Sequence, residues 1–594
     1  MALIFDIETD GFLESVTTIH CLVIKDTEDG SVSTYFHAGG PLEQIETGLL
    51  RLTELSEKGV VITGHNVIKF DIPVIQKLYP WFKVDEKKVY DTLVVSRLIF
   101  SDLRERDGAN IEKGLLPSKM WASHSLKAWG YRMGILKGEF KEQNGDDAFK
   151  VFTPEMLEYC IQDVNVTETL YNHLTNIEYS KDAVQFEHDV VWIAGQMERS
   201  GWPFDVQAAS KLYGTLSAQR ENIRSQMMET FEPLVIERIS EKTGKKLKDK
   251  VIEFNPASRD QIAQRLTTKY GWKPKDFTPA GKAKVDEEIL KALEYPEAKI
   301  LADYFLLEKR IGQLAEGEQA WLKAERHGHI HGSINTNGAV TGRCTHQSPN
   351  LAQVPSVRAV WGAECRSLFT VRPGFKQVGA DLSGLELRCL AHFMAKWDEG
   401  EYANEVLNGD VHTKNQNAAG LPTRDNAKTF IYGFLYGAGD AKIGSIVGEG
   451  AKRGKVLREQ FLAATPALAN LRKAVTKAAE RGYLVGIDQR RLPIRSAHAA
   501  LNTLLQSAGA LISKKWWLEC FAEAERRGWK YGWDNQFTCL GYIHDELQWA
   551  VREDIAQEFG EMAVACSVKA GEHFNFKCPI GAEFKVGMNW KDCH

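Results

Sequence analysis

One sixteen-residue stretch has the chemistry to hold phosphate. In RDNAKTFIYGFLYGAG, Arg424, Lys428, Tyr432 and Tyr436 recur every four residues, a spacing that makes neighbours of them on a helix. At about 1.5 Å per residue the stripe is roughly 18 Å long, near the reach of a nucleoside triphosphate. Guanidinium and ammonium groups suit phosphates, and an aromatic face suits a base. The plainer alternative is a solvated basic face with half-buried tyrosines. Two acids frame the stretch. Asp381 ends a short apolar strand in QVGADLSGLELRCLAHF, and Asp545 sits at what reads as a hairpin turn in GYIHDELQWAV. Each alone is an ordinary turn aspartate. Together they can bridge two metals carrying a triphosphate whose tail Arg424 and Lys428 neutralise. Phosphoryl transfer then needs positioning and charge stabilisation, not a covalent intermediate.

A second set lies at the amino terminus. Asp6 and Glu8 flank one residue of the apolar stretch ALIFDIET, so on a strand both carboxylates leave the same face. Asp71 follows in HNVIKFDIP, and YCIQD puts Tyr159 one helical turn before Asp163. Four acids and a tyrosine are the set needed to hold two Mg²⁺ ions and orient a water against a phosphodiester. D-x-E by itself says little. The order D-x-E, H-N-x-x-x-F-D, Y-x-x-x-D says much more.

These residues need elements to carry them. ALIFDIET and IHCLVIKD read as strands and VVITGHN as a third. Helices are expected around DTLVVSRLIF and over TPEMLEYCIQDVNVTETLYNHL, the latter with Thr153 as N-cap and Pro154 first in the helix. From about Asp182 to Gly328 the pattern is long amphipathic helices, interrupted by EKTGKKLKDKV (241–251), which reads as an exposed charged loop or mobile tip. The 594 residues suffice for three or four domains. No apolar run reaches the ~20 residues of a membrane span, and the ten scattered cysteines lack a C-x-x-C pair, which points to a reducing cytoplasm. The net charge of −5 conceals a split. Residues 1–180 carry 18 basic against 28 acidic side chains and residues 411–500 carry 15 against 6. An acidic module that gathers metal ions and a basic one that gathers phosphates is the implied arrangement.

The amino-terminal motifs resemble those of DnaQ-like 3′→5′ proofreading exonucleases. D-x-S-x-x-E-x-R, R-x-x-x-K-x-x-x-[YF]-G and H-D-E resemble motifs A, B and C of family A (DNA polymerase I class) DNA polymerases. TGRCTHQSPNLAQVP, NTLLQSAGA and FKVGMNWKDCH bring the likeness closer to replicative enzymes of short-tailed bacteriophages. The resemblance covers nearly the whole chain. It implies an α/β and α+β multidomain fold: an RNase H-like exonuclease domain (1–180) and a right-hand polymerase, with thumb (181–330), palm (331–410 and 501–594) and fingers (411–500). It further implies template-directed synthesis from dNTPs on primer–template DNA, with proofreading. By the same likeness Asp6, Glu8, Asp71 and Asp163 are exonuclease metal ligands and Tyr159 positions the water. Asp381, Asp545 and the Leu382 carbonyl hold the polymerase metals, with two Mg²⁺ (or Mn²⁺) at each site. Arg424, Lys428 and His412 grip the triphosphate. Tyr432 lies under the incoming nucleotide, Tyr436 at the template side, and Glu386 against the sugar 2′ position. Arg343, His498, Asn502, Gln506 and His544 contact primer–template, where minor-groove acceptors common to all base pairs allow shape to be tested without reading sequence. Gly437 and Gly439 suit a helix end or a finger hinge. The implied setting is the cytoplasm of an infected bacterium, with replicative helicase–primase and single-stranded DNA-binding protein as further partners and no membrane.

One departure stands out. Phage relatives that recruit thioredoxin carry a long thumb insert, whereas only a short charged segment lies between Phe231 and Asn255 here, so thioredoxin dependence is not carried over. Lys245, Lys246, Lys248 and Lys250 in it are solvated or touch duplex phosphates. Two rival readings are disfavoured by the sequence: an exonuclease whose second half only binds DNA, against which the intact Asp381, Asp545, Arg424 and Lys428 argue, and an HD-type phosphohydrolase built on His544-Asp545, which needs further histidine ligands and does not suit a hairpin pattern.

Overall fold

The computed structural model describes residues 2–36, 43–138, 140, 145–239, 242 and 244–593. Glu241 and Thr243 of the charged segment lie outside the described residues. By contact the chain divides into two compact units, one of Met1–Ser200, Ile334–His346 and Val378–Val586, the other of Gly201–Ser333, Gln347–Gln377 and Gly587–His594.

The first unit opens with a five-stranded sheet: β1 (Ala2–Thr9), β2 (Ile19–Asp26), β3 (Val32–Phe36), β4 (Val61–Gly64) and β5 (Val89–Asp91), in the order β3-β2-β1-β4-β5. β1 pairs antiparallel with β2 and parallel with β4. VITG is therefore the fourth strand of the chain, because VSTYF forms an edge strand before it. That strand is half exposed and lacks the apolar run that marks the others. Alternation along β1 sends Leu3, Phe5 and Ile7 into one core, while Ile4 joins Cys21, Val23, Cys160 and Val164 in another. Asp6 and Glu8 share the parity of Ile4, so they leave the sheet on the side covered by the helix Pro154–Thr175. Thr153 caps that helix, its hydroxyl accepting from Met156 N at 3.2 Å, with Pro154 at the first position.

The helix Lys181–Ser200 follows and is also part of the first unit. Its Glu187 is fully buried and meets Arg490 Nη2 and Lys514 Nζ, each at 2.7 Å; Arg490 also pairs with Asp488 at 2.8 Å. A four-stranded sheet follows in the order Phe537–Ile543, Glu546–Arg552, Phe375–Leu382, Ala582–Gly587. The first two strands pair antiparallel with Ile543 opposite Glu546, so the expected hairpin is present with His544 and Asp545 as its two-residue turn. The helix Ala500–Arg526 is buried nearly all round, as expected for one that runs through a core. Trp516 and Trp517 are fully buried, and Trp516 Nε1 donates to Ala563 O at 2.7 Å.

In the second unit the helices Val206–Thr230, Arg259–Tyr270 and Pro296–Ile311 bear out the helical pattern. The charged segment is corrected. Lys246–Ile252 is a strand paired antiparallel with Leu234–Ile239; its lysines recur at 246, 248 and 250, the strand period, with Leu247, Asp249 and Val251 on the opposite face. The hairpin is exposed, as expected, and so are its Val235, Ile239 and Val251 side chains.

Candidate active sites

The amino-terminal acids converge. Asp6 and Glu8 come from β1, Asp163 from the covering helix, and Asp71 from the first residue of the helix Asp71–Leu78. Asp71 and Asp163 are only 4% and 2% exposed. Burial among like charges has a large effect. It pushes the Asp6 carboxyl up to about 6 against the pull of Lys137, and Asp163 up to about 7. Burial also carries Glu8 and Asp71 well above the carboxylate range, with Asp6 adding to both. One oxygen each of Asp6 and Glu8 lies with the Cys160 sulfur inside a 4.8 Å cluster, and that thiol donates to Asp6 Oδ2 at 3.5 Å. Asp163 Oδ1 is buried without a hydrogen-bond partner. A group of carboxylates, two of them buried, with an orphaned oxygen fits a divalent cation, the hard oxygen-seeking kind.

Two residues of this site escaped the sequence reading. Asp91 ends β5 and is buried; its carboxylate accepts from Asn66 N at 2.8 Å, Ile68 N at 3.2 Å and Leu93 N at 2.9 Å. It thereby caps the helix Thr92–Ile99 and fixes the loop that delivers Asp71, with Asn66 held at φ 69°. The signal was present in DTLVV, an aspartate heading an apolar helical run. The other is Lys137, whose ammonium contacts Asp163 Oδ2 and lies 4.8 Å from the Tyr159 ring centroid. Nothing local in GILKG marks it.

The carboxy-terminal acids meet through backbone. Leu382 N donates to Asp545 O at 3.0 Å, joining the end of the Asp381 strand to the hairpin turn. Ser513 Oγ, from the long helix, holds that turn by donating to His544 O at 2.7 Å, with His544 at φ 62°. Asp381 is exposed, while Asp545 is partly buried and its carboxyl raised for that reason. A cavity of about 230 Å³ beside the turn is lined by Arg343, Glu386, Tyr436, His544 and Asp545, among others.

The stripe is helical from Arg424 to Leu435. Tyr436 is the C-cap residue and not a helical one, and Gly437 follows at φ 74°, a left-handed ending suited to glycine. Arg424 Nε pairs with Asp410 Oδ2 at 2.8 Å, both largely exposed, and Lys428 is exposed. Burial and then the charges of Arg424 and Lys428 lower the His412 imidazole, so these three form one basic group. Tyr432 is half-buried, and its phenol is raised by burial, then by Glu386 and Asp545, so it lies between the basic group and the acids. The hydroxyl that donates to Glu386 is nevertheless that of Tyr436, and Arg343 Nη2 stands 3.6 Å from the same carboxylate. Asn502 and Gln506 lie one turn apart on the long helix, with Gln506 Nε2 donating to Asn502 Oδ1 at 2.9 Å; His498 is exposed in the turn before it. These last three do not line the cavity.

Comparison with known proteins agrees with this division. Residues 225–592 match the model of DNA polymerase family A, and residues 3–175 that of the RNase H superfamily. The chain is 41% identical to a DNA-directed DNA polymerase of Enterobacteria phage T3 and 40% identical to one of Escherichia phage T7, over 712 aligned positions covering all of this chain and all of each relative. Among solved structures, the POL domain of Pol1 from M. smegmatis in complex with DNA primer-template and dNTP superposes with a TM-score of 0.76 at 17% identity, over 100% of this chain and 95% of that one. At that identity the superposition speaks for the fold. On the family match and the full-length identity to the two phage proteins, the chain belongs to DNA polymerase family A.

Proposed function

We propose that the protein is a DNA-directed DNA polymerase that extends a primer with deoxynucleoside triphosphates and trims mispaired 3′ ends at a separate 3′→5′ exonuclease site, serving phage DNA replication in the cytoplasm of an infected bacterium. The observation that carries the reading is the presence of two acid clusters on separate sheets, one within the RNase H superfamily match and one within the family A match. In the first, Asp6, Glu8, Asp71 and Asp163 would hold two Mg²⁺ ions. In the second, Asp381, Asp545 and the Leu382 carbonyl would hold two more. Bound there, the ions supply charge stabilisation of attacking and leaving oxygens.

The chain's own residues do the rest. Arg424, Lys428 and His412 bind the triphosphate, Tyr432 supports the base and sugar, and Glu386 bars a 2′ hydroxyl. Tyr436 stands at the template side. Arg343, His498, Asn502, Gln506 and His544 follow the primer–template. At the other site Tyr159 orients the water. Residues 1–180 act as exonuclease, 181–330 as thumb, 331–410 and 501–594 as palm and 411–500 as fingers. Thioredoxin is not required: the segment that would carry its insert is a short hairpin here, and the alignment with the phage relatives is longer than this chain. Helicase–primase and single-stranded DNA-binding protein are the partners expected at a fork. Among the described residues no helix is long and apolar enough to cross a membrane.

Paired variants test the reading. Asp381→Asn should abolish primer extension, a loss of about 3 kcal/mol or more in transition-state stabilisation, and leave digestion of mispaired ends intact. Asp6→Ala with Glu8→Ala should do the reverse. Loss of both activities in one folded variant would sink the two-site reading. Extension by Asp381→Asn within about tenfold of the parent, only ~1.4 kcal/mol, would show that a different acid holds the metal.

A further inference from the structure

The loop after the helix Leu126–Met133 is held at three points. Gly134 ends the helix at φ 73°, and Ile135 N donates back to Gly130 O at 3.0 Å. A Cβ on Gly130 would stand 2.5 Å from Ile135 O, so the backbone there approaches too closely for any side chain. Gln162, one residue before Asp163, donates from Nε2 to Leu136 O at 2.8 Å. A Cβ on Gly138 would meet the Tyr159 ring at 3.0 Å. Between these anchors Lys137 extends into the amino-terminal acids. Its side chain is 20% exposed, against 3% for the Asp163 carboxylate it contacts. The same ammonium lies 4.8 Å from the Tyr159 ring centroid, and a cation at that range from an aromatic face is attracted to it.

One oxygen of Asp163 is thus occupied by Lys137 and the other, Oδ1, is buried and unpartnered. A carboxylate pinned through one oxygen presents the second in a fixed direction. Tyr159 and Asp163 are one helical turn apart, so a single ammonium braces both. It also neutralises one of the charges that four carboxylates would otherwise set against each other in a partly buried site.

We propose that Lys137 is a positioning residue of the exonuclease site, bracing Asp163 and Tyr159 so that the acid cluster is assembled before a divalent cation enters it. This rests on the exonuclease reading given above. Partners that orient a metal ligand without touching the metal typically change activity or affinity by roughly 10–100-fold when removed. Lys137→Met keeps the length and removes the charge. At saturating Mg²⁺ it should lower kcat for single-strand digestion roughly 10–100-fold with KM for DNA little changed. Primer extension should be unaffected. Mn²⁺ binding, measured by calorimetry in an Asp381→Asn background, should not weaken, since a repelling cation has been removed. Lys137→Arg should recover most of the lost kcat. A kcat for Lys137→Met within twofold of the parent overturns the proposal. So does a joint fall of melting temperature and Mn²⁺ affinity that Lys137→Arg does not repair, because that is the behaviour of a packing residue. Glu8→Ala is run alongside: if it digests at the parental rate, the exonuclease reading itself has failed, whatever Lys137 does.

Discussion

At the amino-terminal site four carboxylates are drawn into the protein around a resident ammonium, whereas at the carboxy-terminal site Asp381 lies open to water and the nearby charges have provisional partners. In the first, Lys137 is held by Asp163 in a cluster where Asp71 and Asp163 are buried and Asp6 and Glu8 partly so. In the second, Arg424 is paired with Asp410, and Glu386 accepts from Tyr436. Low dielectric makes like charges expensive to gather, so a partly buried site needs its own counter-charge. A site open to solvent is screened, and its counter-charges can wait on partners that an incoming triphosphate displaces. On the proposed function, the first site would be preassembled and the second completed by its substrate.

The largest expected effect probes that exchange. In this structure Glu386 belongs to Tyr436, while Tyr432 only senses its charge. If nucleotide binding hands Glu386 to Tyr432, the Tyr432 hydroxyl fills the polar space beside the sugar 3′ carbon. Tyr432→Phe should then discriminate against dideoxynucleotides by roughly 2–4 kcal/mol, with normal incorporation little changed. Competition between dideoxy- and deoxynucleotides on both proteins measures it, and equal selectivity would mean that Glu386 stays with Tyr436.

A smaller effect sharpens the buried side of the comparison. Burial pushes the Asp6 and Asp163 carboxyls up to about 6 and about 7 when no metal is bound. A carboxyl raised on folding stabilises fully below its unfolded value and loses that contribution as pH rises through its folded one. The metal-free protein should therefore gain stability from these groups as pH falls from about 7.5 towards 5. Each tenfold gain in proton affinity on folding is worth about 1.4 kcal/mol. Denaturant unfolding in chelator, parent against Asp163→Asn, should show a steeper pH dependence in the parent over that interval. Parallel curves would place Asp163 in water.

The smallest effect concerns the open side. Asp410→Asn frees Arg424 from an exposed pair, and exposed pairs are weak. Steady-state kinetics should show the KM for dNTP lowered about two- to threefold with kcat unchanged. A raised KM would make Asp410 a part of the grip and not a competitor for it.

How legible these sites were follows from how local their signals are. Asp6 and Glu8 on alternate strand positions, Thr153–Pro154 at a helix start and the His544-Asp545 turn all depend on residues a few positions apart, and each is present in the fold. Lys246–Ile252 reads as a loop because four lysines between 245 and 250 obscure an alternating strand pattern. Asp91 reaches back 25 residues to Asn66, Lys137 reaches forward 26 to Asp163, and Asp410 waits 14 residues ahead of Arg424. No periodicity encodes those pairings; the sheet order and the loop anchors create them.

The buried Glu187 bears on how far the chain is modular. The helix that carries it, Lys181–Ser200, falls in the interval between residues 175 and 225 that neither family match claims, so the two family matches alone would leave it as a linker. Its acid is nevertheless the counter-ion of Arg490 and Lys514, both buried in the polymerase half. A cut placed after Ser200 would leave those two cations in the interior without Glu187. Removing one partner of such a pair costs about 3–5 kcal/mol, out of a total stability of about 5–15 kcal/mol for a typical domain. The same cut placed before Lys181 keeps the acid with its cations. That cut has its own cost, because Val191 and Trp192 pack in the amino-terminal core and His188 Nε2 accepts from Asp91 N at 2.8 Å, while Phe186, Val190 and Ile193 pack in the polymerase core. The apparent linker is a shared element of both halves, and neither of its ends is a clean seam.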